Sequence, residues 1–231
     1  MASQLLTALL VTAAFAALAY ALGMISRSGA LGGLLIGTTI YTSLGARGFA
    51  VLALFVVGGS LLTRLGYRSK QRAGTAQEHG GRRSARNAIA NCAVATSCAI
   101  FAAATGSEPL TATFVASLGA AFADTAESEI GQLFSRRPRL ITTLSKVPPG
   151  TDGAISLPGT LAGVGAAGLT ASLGLTLELL SSPGSALLVA TAAFLGTIAD
   201  SLIGGLLSRA GNELTNVLCT LVAALIALIL I

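Results

Sequence analysis

Four carboxylates sit where an apolar chain should not carry them. Asp124, Glu127 and Glu129 close a hydrophobic run that starts near Leu110, and Asp200 lies inside another. An ionisable group at the centre of a spanning helix costs about 2.5–3.5 kcal/mol on insertion scales, so each needs compensation. A divalent cation with hard oxygen ligands, Mg²⁺ above all, is the natural one. Along a helix, Glu127 and Ser128 share the face of Asp124, whereas Glu129 points away. Either Glu127 joins Asp124 at the metal, or the helix unwinds there so that Glu129 can, which is allowed where backbone lines a wet cavity. The carboxylate left over snorkels to the interface, and helix geometry favours Glu129 for that part.

A basic, turn-rich segment follows at once. Arg136, Arg137, Arg139 and Lys146 lead into Val147-Pro148-Pro149-Gly150-Thr151-Asp152-Gly153. The two prolines and two glycines forbid a helix, and exposed N–H groups around the glycines can line an anion nest. Arg137, Arg139 and Lys146 supply charge for phosphate oxygens. The next helix is expected to start near Ala154, with Thr151 or Asp152 as its N-cap and its N-terminus toward the same site. No GxxxxGK[ST] occurs, so this is no Walker A loop. The bland alternative is a turn flanked by basic loop residues.

The elements that must hold these groups are apolar. Of 231 residues, 53% are hydrophobic and 10% charged, against about 25% charged in a soluble domain. With a mean hydropathy of +0.81, this is the pattern of an all-α polytopic transmembrane bundle of seven or eight spans in one domain, 1–231. Spans are expected at 4–24, 29–45, 48–66, 87–106, 109–134, 155–178, 184–208 and 212–231. The glycine-rich second one, with Gly29, Gly32, Gly33 and Gly37, is short enough to be tilted or re-entrant. The first run lacks the basic start of a cleaved signal and is expected to stay.

Lys and Arg crowd into two loops, 67–86 and 135–153, separated by two spans. Both therefore lie on one side, the cytoplasm by the positive-inside rule, with both termini outside, or with the N-terminus in the cytoplasm if 29–45 only dips into the membrane. The net charge of +5 reflects these loops rather than a nucleic-acid partner. Loop 67–86 reads as polar and mobile, and His79 within it as solvated. Cys92, Cys98 and Cys219 lie in apolar segments without metal-ligand spacing and read as small buried residues. Gly159, Gly163, Gly165 and Gly168 let the sixth span pack closely.

Two stretches repeat the order LG, AD[TS], IGxLxSR. One is Leu118-Gly119, Ala123-Asp124-Thr125, Ile130-Gly131 to Ser135-Arg136; the other is Leu195-Gly196, Ala199-Asp200-Ser201, Ile203-Gly204 to Ser208-Arg209. Parallel repeats in membrane proteins place sites at their interface, although Ala/Gly/Leu-rich helices also produce such recurrence by chance. Asn87 and Asn91 open the fourth span, and Glu213 and Asn216 the eighth. Polar groups from four helices thus converge at one depth, which says more than any single residue.

The ordered set resembles the integral-membrane phytyl-phosphate kinases of vitamin E biosynthesis and their prokaryotic relatives. The resemblance rests on Arg83 with Asn87 and Ala90-Asn91, on Ala123-Asp124-Thr125 with Ser128-Glu129-Ile130-Gly131, and on Pro138-Arg139 with Leu140-Ile141-Thr142-Thr143. It continues through Val147 to Gly153 with Ser156 and Gly159, Asp200-Ser201 with Gly204, and Asn216. The chain departs from the pattern at Asn87, where the family carries Gln. The resemblance implies transfer of a phosphoryl group to a membrane-embedded isoprenoid monophosphate (phytyl or geranylgeranyl phosphate), giving the diphosphate. The donor is a nucleoside triphosphate, CTP before others, with Mg²⁺.

The same resemblance implies a metal held by Asp124, Glu129 and Asp200, with Glu127 as the geometric alternative, and catalytic roles for Asp124, Lys146 and Arg139. Nucleotide or phosphate contacts fall to Arg83, Asn87, Asn91, Ser128, Arg137, Gly150, Thr151, Asp152, Gly153, Ser156 and Asn216. The partners are then the prenyl phosphate, the nucleotide and membrane lipid, without nucleic acid, and a homodimer is left open. The membrane is a prokaryotic cytoplasmic or a thylakoid one, with the site facing the cytoplasm. The rival reading is a transporter or channel for an ion or small phosphorylated metabolite. A CDP-alcohol phosphotransferase is disfavoured, because its DGxxAR signature is missing.

Overall fold

Serines start most of the helices. A computed structural model describes residues 2–207 and 211–231. In it the hydroxyls of Ser26, Ser84, Ser107, Ser156 and Ser182 each accept the N–H of the residue three positions on. These caps satisfy amides that have no partner inside the helix. The helices are α1 (Ala2–Ala21), α2 (Arg27–Arg64), the short α3 (Tyr67–Arg72), α4 (Ala85–Thr105), α5 (Glu108–Phe134), α6 (Leu157–Thr176), α7 (Pro183–Leu206) and α8 (Asn212–Leu230). A two-residue ladder pairs β1 (Arg139–Leu140) antiparallel to β2 (Ala154–Ile155). Among the described residues six helices are long and apolar enough to cross a membrane. The chain is an all-α polytopic membrane bundle.

α2 holds two spans. Gly45, at φ 67° and ψ −161°, interrupts it, and the chain doubles back there. A Cβ on Gly37 would meet the Phe49 ring, which a continuous helix would hold about 18 Å away. The first limb of about 18 residues reaches about 27 Å, enough to cross. The second expected span is therefore a full crossing, not a re-entrant dip. The Nε2 of Gln4 donates to the Thr42 carbonyl, and Arg47 pairs with Glu178 at 2.7 Å. These contacts place the start of α1, the α2 turn and the end of α6 at one end of the bundle. Loops 67–86 and 135–153 gather at the other.

α5 is the central helix. Every residue from Ala112 to Ala123 is buried, and α2, α4, α6, α7 and α8 pack around it. A helix apolar on all sides belongs in such a core. Small residues set the spacing: a Cβ on Gly196 would approach Ala120 and Ala223, and one on Gly119 would approach Ala193. α5 and α7 run in the same direction, so the two LG–AD elements lie side by side. Ser208 and Arg209, which end the second copy, fall outside the described residues.

Two expectations need correction. Loop 67–86 is folded, with α3, a short 3₁₀ turn at His79–Gly81 and a bridge between Ile25 and Arg83. The sixth helix starts later than expected. Ala154 and Ile155 pair with β1, and Ser156, not Thr151 or Asp152, is the cap. Of its glycines, Gly159 and Gly163 press on α5 at Glu127, while Gly165 and Gly168 have open space beside them.

Candidate active site

A polar cavity of about 940 Å³ occupies the end of the bundle where the basic loops gather. Asp124 of α5 and Asp200 of α7 face one another in it, and Asp200 also faces Thr215 of α8. Parallel packing of α5 and α7 brings the two repeat motifs to the same depth. Glu127, one turn on from Asp124, accepts from the Thr160 hydroxyl of α6 at 3.3 Å. Facing carboxylates in a buried setting repel unless a proton or cation lies between them. The Oδ1 of Asp200 is buried without a hydrogen-bond partner among the described residues.

The four expected carboxylates do not form one cluster. α5 stays helical from Glu108 to Phe134, so Glu129, although it also borders the cavity, projects about 140° round the axis from Asp124. It does not snorkel either. Only 3% exposed, it is ion-paired with Lys70 of α3, whose ammonium also donates to the carbonyls of Leu62 and Thr63 at 3.2 and 2.9 Å. Among the described residues no three His, Cys, Asp or Glu side chains could hold a metal ion unaided. Asp124 and Asp200 still suit Mg²⁺, which commonly takes one or two carboxylates and completes its octahedron with water and substrate phosphate.

Arg83 anchors the opposite wall. Its backbone is held by Met24 and Ser26, N–H to carbonyl in each direction. Its guanidinium lies 4.6 Å from the Phe55 ring centroid and donates to the Thr125 hydroxyl at 3.3 Å. Gly59 makes room for it, since a Cβ there would come within 2.4 Å of Nη2. Burial lowers the pKa of Arg83 from its ordinary value, and the Glu129 and Asp124 carboxylates oppose that. Arginine stays charged regardless. The Nε of Arg83 has no acceptor among the described residues.

Of the remaining expected residues, Asn87, Asn91, Ser128, Gly150, Thr151, Asp152, Gly153, Ser156 and Asn216 line the cavity. Some have structural duties there. Asn87 and Ser84 form a capping box on α4, and Asn91 donates to the Asn87 carbonyl. Gly153 brings the loop onto α7: at φ 74°, a Cβ on it would sit 2.4 Å from the Gly205 nitrogen. Gly153→Ala should therefore undock this loop, with about 1–2 kcal/mol of backbone strain added to the clash. Faster proteolysis within 144–153 at unchanged helical circular dichroism would report it; unchanged cleavage would count against the docking.

Arg137, Arg139 and Lys146 do not line the cavity. Residues 139–146 form a small hairpin in which a backbone bridge joins Arg139 to Lys146 and Arg139 Nη1 donates to the Leu144 carbonyl at 2.6 Å. The positive wall comes from loop 67–86 instead, through Arg82, Arg83 and Arg86; His79 lines it too. Sequence reasoning missed Lys70, Thr125 and Thr160. Thr125 adjoins Asp124 in the repeat motif, which was a usable signal. Nothing local marks Lys70 among six basic residues of its loop.

The family described as "Integral membrane protein DUF92" matches residues 10–224. The uncharacterized membrane protein sll0875 of Synechocystis sp. is 37% identical over 201 residues, covering 84% of this chain and 77% of its own. Protein VTE6, chloroplastic, of Arabidopsis thaliana is 31% identical over 217 residues, covering 89% of this chain and 65% of its own. The uncharacterized membrane protein MJ0933 of Methanocaldococcus jannaschii is 34% identical over 210 residues, covering 89% and 85%. No solved structure matches the chain.

Proposed function

The chain belongs to the integral membrane protein DUF92 family, and from that premise we propose that it is a kinase converting an isoprenoid monophosphate to the diphosphate. One observation carries the reading: Asp124 and Asp200 face each other at the wall of a cavity that also holds the buried cation Arg83, at the end of an apolar bundle. The resemblance to phytyl-phosphate kinases, with phytyl or geranylgeranyl phosphate as acceptor and CTP as donor, supports the finer assignment.

Phosphoryl transfer requires positioning and charge neutralisation more than covalent chemistry from the protein. Asp124 and Asp200, with Glu127 beside them, would hold Mg²⁺, which when bound neutralises donor phosphate oxygens. Arg83 binds the acceptor phosphate and orients it. An acceptor oxygen attacks the terminal phosphorus of the donor, the bond to the nucleoside diphosphate breaks, and the diphosphate leaves. That oxygen is already anionic, so no side chain has to remove a proton. Asn91, Ser128 and Asn216 offer neutral polar contacts around the transferring group. By the positive-inside rule this end faces the cytoplasm of a prokaryotic membrane, or the matching face of a thylakoid.

The test is purified protein in detergent with phytyl or geranylgeranyl phosphate, Mg²⁺ and each nucleoside triphosphate in turn. Diphosphate should form, fastest with CTP; a chelator should stop it and Mg²⁺ restore it. No product with any donor, together with solute flux in proteoliposomes, would replace this reading with transport.

A further inference from the structure

Beside Arg83, on the side away from the carboxylates, lies a second and apolar space. It is enclosed by α1, α2 and α4, lined among others by Phe15, Gly33, Ile36, Phe55 and Cys92. Arg83 and Ser84 are the two residues that line both this crevice and the polar cavity. The Arg83 guanidinium therefore stands at the junction. Its aromatic neighbour Phe55 belongs to the crevice, its hydroxyl partner Thr125 to the polar cavity. Arg83 is 8% exposed, and its Nε is a buried donor without an acceptor. A buried cation with a free donor calls for an anionic acceptor. The adjoining apolar wall calls for hydrocarbon.

We infer that this crevice holds the head-proximal carbons of an amphiphilic phosphate whose phosphate is bound at Arg83. The inference rests on the kinase reading for the identity of that amphiphile and adds where its chain enters the protein. The enclosed volume is about 50 Å³, against about 150 Å³ for a cavity that takes up benzene. Only the first few carbons fit, and the rest of the chain lies in the bilayer. The protein then reads the chain next to the phosphate and ignores its length. Gly33 keeps the crevice open, because a Cβ there would meet nothing within 4 Å.

Two measurements test this. Geranyl, farnesyl and geranylgeranyl phosphate should show KM values within about threefold of one another. Gly33→Leu should raise the KM for each by about tenfold, a loss of about 1.4 kcal/mol, and leave the nucleotide KM and kcat unchanged. A prenyl phosphate carrying a diazirine near its head should label Phe15, Ile36 or Phe55 in the wild type, and Gly33→Leu should lose that label. Gly33→Ala, expected to be intermediate, guards against a folding defect in the larger variant. Labelling only of outward helix faces, alike in wild type and variant, would overturn the inference, as would a steep dependence on chain length. Labelling in the crevice without turnover leaves the inference standing and removes the kinase reading. Turnover with labelling elsewhere does the reverse.

Discussion

Asp200→Asn, and separately Asp124→Asn, will lower turnover of the isoprenoid phosphate by about 10³-fold or more while the protein stays folded in detergent. Asparagine has almost the same volume, so packing between α5 and α7 is kept. What is lost is one of two carboxylates that face each other in a buried site. Removing a single preorganised electrostatic contact at a reacting centre costs about 3–4 kcal/mol, a factor of 10²–10³. A carboxylate that ligates a metal should cost at least as much. The stability change should be small or favourable, since facing carboxylates need a proton or a cation between them and an amide needs neither. Less activity with equal or higher thermal stability separates a functional site from a structural one. Wild-type rates in either variant would remove that residue from the site. Glu129→Gln is a useful contrast. If Glu129 contributed to the metal as the family pattern implies, it would match the two aspartates in lost turnover and in restoration by high Mg²⁺. Held by Lys70, it should lose stability and show no metal dependence of the loss.

The contrast shows what could be read from the chain. The spans, the central place of the carboxylates and the meeting of Asp124 with Asp200 were legible, because they depend on hydrophobic period, on insertion cost and on a motif repeated in two parallel helices. Glu127 and Glu129 were also separable by helix geometry: α5 stays regular, and the two point as an ideal helix places them. Contacts between distant segments that share no repeated motif were not legible. Lys70 and Glu129 are 59 positions apart, and a buried lysine looks like any other basic loop residue until its carboxylate is found. The basic hairpin misled for a related reason. Charge composition puts Arg139 and Lys146 in the same loop as the site but cannot say that the chain folds them into a hairpin whose residues do not line the cavity. The turn at Gly45 falls where the expected spans 29–45 and 48–66 meet; what the sequence left open was whether the first of them dips or crosses, and that depends on how the two limbs pack.

The second large effect concerns stability. Lys70→Met should destabilise the protein by about 3–5 kcal/mol, the usual result of removing one partner from a buried ion pair. The Lys70 and Glu129 side chains are 1% and 4% exposed, so neither charge can turn to water. The Oε1 of Glu129 already lacks a hydrogen-bond partner, and without the ammonium its Oε2 loses one as well. The reverse removal should be milder, because in Glu129→Gln the ammonium keeps the Leu62 and Thr63 carbonyls. Joining both changes, Lys70→Met with Glu129→Leu, should recover most of the loss, since buried pairs often exchange for apolar residues without penalty. Thermal unfolding in detergent reads all three, with a fall of about 10 °C expected for Lys70→Met at this chain length. Function should follow position. Lys70 ties loop 67–86, which carries Arg82 and Arg83, to the helix that carries Asp124. Loosening it should raise the KM for the phosphate acceptor before it lowers kcat. A Lys70→Met protein as stable as wild type would show that the pair does not hold loop and helix together, and the wall of the cavity would need another support.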